Sequence, residues 1–183
     1  AIVFAPHFMG LDAGGAALVM ATQRRAAFIY ALQRRASLDR WVSEGRSRFG
    51  KVAMITRQEG VKPVLRHLKQ GGLLHLSPDM DLGRRESVFV PFMGVHTATV
   101  TSLSRLSAMT QAPVRMLSTQ LTPQGYEVTL SPVWADYPTG DDAADATRMN
   151  AELARVVQAM PAQYYWPHRR FKTRPVGEPK LYR

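Results

Sequence analysis

The sequence predicts an α/β layer fold, with short buried strands alternating with amphipathic helices. Three observations carry that prediction. Apolar runs of the buried-strand type recur at residues 2–5, 52–55 and 73–76. Stretches with apolar residues at helical spacing stand between them, most clearly at 58–70, where Val61, Val64, Leu65 and Leu68 share one face. The 183 residues are 45% hydrophobic and 21% charged, a composition that suits one domain (residues 1–183) with a sizeable core and excludes broad disorder.

Each element follows in order. Residues 2–5 form the first strand. Gly14-Gly15-Ala16-Ala17 leads into a helix predicted over 18–31. Residues 37–49 are polar and basic, with Leu38, Trp41 and Val42 at helical spacing. Residues 52–55 form the second strand. The helix over 58–70 is stopped by Gly71-Gly72, as glycine stops helices at their C-termini. The third strand, 73–76, ends at Ser77-Pro78-Asp79. Residues 88–90 are a short apolar segment before Pro91. A helix is predicted over 99–110 and strands over 114–119 and 126–130. The helix over 141–160 opens on acidic residues, which the helix dipole favours. From Pro161 the tail is rich in aromatic, proline and basic residues.

Lys and Arg number 24 against 14 Asp and Glu, giving a net charge of +10 and a pI near 10.5. Such a surface attracts nucleic acid, anionic lipid, a phosphorylated substrate or an acidic protein, and charge alone does not choose among them. The absence of cysteine excludes disulfides and cysteine-based metal or nucleophile chemistry, and fits a reducing compartment. No apolar run approaches the roughly 20 residues of a membrane-spanning helix, and no signal peptide is present. The chain opens directly on an apolar strand without an initiator Met. That opening is read as lacking residues upstream, and with them a membrane anchor.

The chemistry centres on Pro6-His7-Phe8-Met9-Gly10-Leu11-Asp12. Five residues on a continuous helix turn about 500°, which would point His7 and Asp12 some 140° apart (roughly). They meet only if His7 sits in the turn after the strand and Asp12 in the first turn of the next helix. An imidazole can then take a proton from a hydroxyl, with a carboxylate on its other nitrogen fixing the tautomer. An arbitrary His and Asp at this spacing is more often a turn residue and a helix cap.

Three further stretches change that reading. They are Gly45-Arg46-Ser47-Arg48-Phe49-Gly50, the run from Ser77-Pro78-Asp79 through Arg85 to Pro91-Phe92-Met93-Gly94, and the tail run from Gln163 through Trp166-Pro167-His168-Arg169-Arg170-Phe171 to Pro175. With His7 and Asp12, in this order, they closely resemble the late acyltransferases of lipid A biosynthesis, the lauroyl and myristoyl transferases. These stand within the lysophospholipid acyltransferase superfamily. The resemblance implies a mixed, largely parallel sheet flanked by helices, of the glycerol-3-phosphate acyltransferase-like type. It implies an acyl-carrier-protein thioester as donor and a hydroxyl of the phosphorylated lipid A precursor as acceptor. It also implies work at the cytoplasmic face of the bacterial inner membrane, on an anionic membrane surface, with no nucleic-acid partner. By position, His7 is the general base and Asp12 its supporting carboxylate. Arg46, Arg48, Arg57, Asp79 and Arg85 are substrate-binding positions. No cofactor and no metal is implied.

The chain departs from the family at Asp12, where lipid A enzymes often carry Glu. It also lacks the proline usual after the strand near Val114. The Asp is the usual residue of the glycerophosphate branch, which keeps a lysophospholipid or glycerol phosphate acceptor open as an alternative. A non-catalytic basic module binding anionic membrane or nucleic acid is the rival of another class, and a shortened, inactive fragment of the enzyme is a third. His67, His75 and His96 have no partners at metal-ligand spacing. His168 and the cluster Arg169, Arg170, Lys172 and Arg174 read as local support, as an anionic-lipid contact or as a carrier-protein contact.

Overall fold

Alternation in β1 (Ile2–Phe4) decides how the layers assemble. Ile2 and Phe4 point to one face of the sheet and join the larger core with Leu74, Leu76, Val114 and Met116; Val3 points to the other face, with Leu18, Val19 and Phe28. A strand buried on both faces must be apolar throughout, and this is why β1 reads as a continuous hydrophobic run. The structure is a computed structural model and describes residues 1–182.

The main sheet has six strands in the order β3-β2-β4-β1-β7-β8. These are β1, β2 (Ala26–Tyr30), β3 (Val52–Thr56), β4 (Leu73–Leu76), β7 (Val114–Thr122) and β8 (Gly125–Leu130). All neighbours run parallel except β7 and β8. The mixed, largely parallel sheet flanked by helices is therefore as the resemblance implies. Helices α1 (Leu11–Thr22), α2 (Ala36–Ser47) and α3 (Val61–Lys69) make the crossovers between β1, β2, β3 and β4. Helix α4 (Ser102–Thr110) precedes β7, and α5 (Asp142–Ala159) follows β8. The first turn of α5 is capped by Asp141, whose Oδ1 accepts from the amides of Ala143 and Ala144 at 2.8 and 3.1 Å.

Two expectations are corrected. The helix predicted over 18–31 is two elements: α1 ends at Thr22, and β2 begins at Ala26. Gln23 adopts a left-handed φ of 52° and its amide returns to Val19, which closes the helix. Ala26–Tyr30 then enters the sheet between β3 and β4, where an apolar run is buried whichever way it faces. The second correction is a separate hairpin, β5 (Ser87–Phe92) and β6 (Val95–Val100), joined by Met93-Gly94, both at positive φ. Helix α4 therefore begins at Ser102 rather than near 99. Pro91 is tolerated because a two-stranded ribbon consists only of edges.

Candidate active site

The parallel strands deliver the site residues to one end of the sheet. β1 and β4 are neighbours in register, with Phe4 opposite Leu76. Each leaves the sheet at its carboxyl end, and the loops beyond carry His7 and Asp79. Ligands of open α/β sheets gather at this end.

His7 Nδ1 lies 2.7 Å from Asp79 Oδ1, and the His7 amide donates to Asp79 Oδ2 at 2.9 Å. The Tyr164 hydroxyl donates to the same Oδ2 at 3.1 Å. Asp79 is fully buried, whereas the His7 side chain retains 23% of its exposure. Burial pushes the Asp79 carboxyl upward, but its bonds from His7 and the interaction with that imidazole outweigh it, and the group ends below the usual carboxylate range. An ionised Asp79 accepts hydrogen bonds only, so Nδ1 must carry the proton. The lone pair of neutral His7 is then on Nε2, which has no hydrogen-bond partner among the described residues. Nε2 is the atom left to meet a substrate.

His7 lines an open groove of about 590 Å³ together with Phe8, Leu11, Asp12, Tyr164 and Tyr165. The tail straps this loop in place. Phe8 and Tyr164 form an antiparallel bridge, the Met9 amide donates to the Gln163 carbonyl at 2.9 Å, and the Tyr165 amide donates to the His7 carbonyl at 2.8 Å. Burial and the neighbouring Asp79 charge hold the Tyr164 phenol far above its ordinary range, so it stays protonated as a donor. His168 Nε2 lies 3.4 Å from the Tyr164 hydroxyl, and burial lowers the His168 pKa.

Asp12 stands in the first turn of α1, as its spacing from His7 requires, but does not bond the imidazole. Its Oδ1 accepts from Arg46 Nε at 2.7 Å, and its side chain is 68% exposed. The carboxylate on His7 Nδ1 is Asp79, not the expected Asp12. The parallel pairing of β1 with β4 explains this, because it sets the two strand ends side by side, whereas Asp12 rises away on the helix. Asp79 was expected to touch substrate; its burial under His7, with three donors on its carboxylate, gives it a different place.

A second groove of about 580 Å³ runs between α1 and α2, meeting the first at Asp12. Ala13, Ala16, Phe28, Trp41 and Val42 supply its apolar walls, and Arg46 and Arg48 stand at its edge. The Arg48 guanidinium lies 4.5 Å over the Phe49 ring. Arg57 follows β3, three strands from β1, or about 14 Å at ordinary strand spacing. Arg85 is exposed in the loop between β4 and β5. The structure thus brings His7, Asp12, Arg46 and Arg48 to adjoining grooves, with Asp79 buried beneath His7, and sets Arg57 and Arg85 on separate loops.

Beneath α1, His75 stacks on Phe28 with ring centroids 4.5 Å apart. A side chain at Gly15 would collide with Phe28, so this glycine is what lets α1 lie so close. His75 is buried, and its Nε2 has no hydrogen-bond partner among the described residues; burial, aided by the Arg46 charge, lowers its pKa to about 4. Arg170 is the other buried surprise. Its guanidinium donates to the Ala98 carbonyl at 2.7 Å, Thr99 Oγ1 at 2.9 Å and Asn150 Oδ1 at 3.1 Å, tying the tail to the hairpin and to α5.

The family model described as bacterial lipid A biosynthesis acyltransferase matches residues 1–173. The chain belongs to that family. Among the relatives of this lipid A acyltransferase family chain is the Lipid A biosynthesis palmitoleoyltransferase of Escherichia coli (strain K12), 36% identical over 99% of this chain and 58% of the relative. The Lipid A biosynthesis lauroyltransferase of the same organism is 33% identical over 96% of this chain and 57% of its own length. The myristoyltransferase is 31% identical over the whole chain and 56% of its own length. The chain therefore spans somewhat over half the length of these relatives. Among the described residues, no helix is long and apolar enough to cross a membrane.

Residue-level reasoning missed Tyr164 and the pairing of Asp79 with His7. The signal for Asp79 was its place just past a strand end. Nothing in the spacing says that this strand neighbours β1.

Proposed function

We propose that this chain catalyses transfer of a fatty acyl group from an acyl-carrier-protein thioester to a hydroxyl of a lipid A precursor. One observation carries the reading: a buried carboxylate holds Nδ1 of His7 and leaves Nε2 open to a groove. In this reading Nε2 takes the proton of the acceptor hydroxyl as its oxygen attacks the thioester carbonyl. The tetrahedral intermediate collapses with cleavage of the carbon–sulfur bond, and the leaving thiolate takes the proton back from the imidazolium. Asp79 fixes the tautomer and stabilises the imidazolium. Asp12, held by Arg46, adds a more distant and solvent-screened carboxylate on the groove side. Arg46 and Arg48, with Arg57 and Arg85 further out, hold phosphates of the acceptor or the donor. The chemistry requires no metal or organic cofactor. The site works at the cytoplasmic face of the inner membrane, and nucleic acid is not a partner.

The test supplies acyl-carrier thioester with a lipid A precursor, a lysophospholipid or glycerol phosphate as acceptor. Transfer to the precursor, and its loss by about 10³-fold or more in His7→Ala, is expected. A folded His7→Ala protein with an unaltered rate refutes the mechanism, and preference for a glycerolipid acceptor refutes the acceptor assignment.

A further inference from the structure

Helix α2 presents an apolar stripe that the protein does not bury. Leu38, Trp41, Val42 and Gly45 follow the i, i+3, i+4, i+7 pattern that normally faces a core. Yet no residue of α2 is buried, and Trp41 is 73% exposed. Part of the stripe borders the groove against α1; the rest, with Leu32 in the preceding loop, faces solvent.

The topology says which way this surface looks. β2 lies parallel to β4, and β4 to β1, so residues 31–35 leave the sheet at the end that carries His7 and Asp79. Met9, in the loop after β1, is exposed at the same end. Arg34, Arg35 and Arg40 surround the stripe, are exposed, and form no ion pair among the described residues. Asp39 accepts from the Gln33 amide at 2.9 Å and forms no ion pair with these arginines among the described residues. Glu44 is the exposed carboxylate that remains on the helix.

We propose that the loop at 31–35 and helix α2 form an interfacial anchor that docks the site end of the sheet onto an anionic bilayer. Trp and Leu enter the headgroup boundary while arginines hold lipid phosphates, the division that amphipathic interfacial helices use. An acidic protein would satisfy the arginines but leaves a protruding indole and two leucines without a matching solvent. A bilayer takes both. Docked this way, the groove between α1 and α2 opens at the membrane, and a lipid acceptor reaches His7 without crossing water. The assignment rests on the reading that the acceptor is a membrane lipid, but its test uses no acceptor.

The chain is mixed at low salt with vesicles of phosphatidylcholine alone, or of equal parts phosphatidylcholine and phosphatidylglycerol. Binding is read by co-sedimentation and by quenching of tryptophan fluorescence with brominated lipid, the Trp41 share being the difference from Trp41→Phe. Tight binding to the anionic vesicles only, weakened by salt, with Trp41 quenched, is expected. Arg34→Gln, Arg35→Gln and Arg40→Gln together should weaken it about a hundredfold, and Leu38→Ser with Trp41→Ser by about tenfold or more. All five side chains are exposed, so circular dichroism should be unaltered. Equal binding to neutral vesicles, an unquenched Trp41, unaltered binding by either variant, or competition for this face by acyl carrier protein alone overturns the proposal. His7→Ala should bind vesicles as the unaltered chain does, which separates failure of docking from failure of the transfer reading.

Discussion

Asp79→Asn tests the geometry most directly, because it is nearly isosteric and its consequence follows from counting donors. Oδ2 receives two hydrogen bonds, from the His7 amide and the Tyr164 hydroxyl, while Oδ1 receives one, from His7 Nδ1. Asparagine keeps one oxygen and replaces the other with NH₂. Placing its oxygen at the Oδ2 site preserves two bonds; placing it at Oδ1 preserves one and sets an NH₂ against two donors. The first arrangement wins, and it turns an NH₂ toward Nδ1. That nitrogen must then accept, so the proton moves to Nε2, which loses the lone pair that the proposed mechanism requires of it. A wrong-tautomer defect of this kind costs about 10³- to 10⁴-fold in rate, or roughly 4–5.5 kcal/mol of barrier. Asp12→Asn removes only an exposed pair with Arg46, and pairs of that kind contribute about 0–1 kcal/mol, so the loss should stay within about tenfold. Steady-state kcat with an acyl-carrier thioester and lipid A precursor measures both. If Asp79→Asn keeps more than about a tenth of the rate while Asp12→Asn loses a thousandfold, the tautomer argument fails and Asp12 is the residue that supports His7.

Tyr164→Phe removes one of three donors to a buried carboxylate. A hydrogen bond to a charged group contributes about 1.5–3 kcal/mol, so both kcat and the denaturation midpoint should fall, with the stability loss near that range in urea titrations. His75 makes stability depend on pH: its folded pKa of about 4 lies below the unfolded value of about 6.5, so the unfolded chain binds the extra proton between them. Its contribution is full above about pH 6.5 and is lost toward pH 4, by about 3 kcal/mol, and His75→Leu should flatten that part of a stability–pH curve obtained by denaturant titration. Arg170→Lys keeps the charge but cannot fork among Ala98, Thr99 and Asn150; a loss of about 2–4 kcal/mol in chemical denaturation is expected, and an unaltered midpoint would show that the network contributes nothing.

The strands were legible where burial on both faces made them wholly apolar, as in β1, or apolar but for one residue, as in β4 with His75 and the start of β7 with Arg115. β2 was not, because Ala26–Tyr30 follows helical residues after only three polar positions and an apolar run carries no period of its own. The hairpin was half legible: β5 reads as apolar, while β6 mixes His96, Thr97 and Thr99 with alanine and valine because its threonines pair with Arg170 and Asn150. The positions of His7 just past a strand end and of Asp12 at a helix start were legible, and both stand there. Their pairing was not, since a spacing of five along the chain says nothing about a strand that arrives 72 residues later and lies alongside. Sheet order is a long-range property, and it placed Asp79 under His7.

The bridge between Phe8 and Tyr164 also has a consequence for biosynthesis. On the ribosome His7 emerges first and Asp79 next, and Tyr164 only after the sheet and α5 have been made. Until then Oδ2 lacks its second donor, the Tyr164 hydroxyl, and the loop holding the imidazole has no strap. The nascent chain therefore holds His7 and Asp79 early but not the contacts that fix the two in place. A stop codon just after Met160 should leave His7 loosened and open to water, which makes the segment that follows α5 the piece that completes the setting of the imidazole.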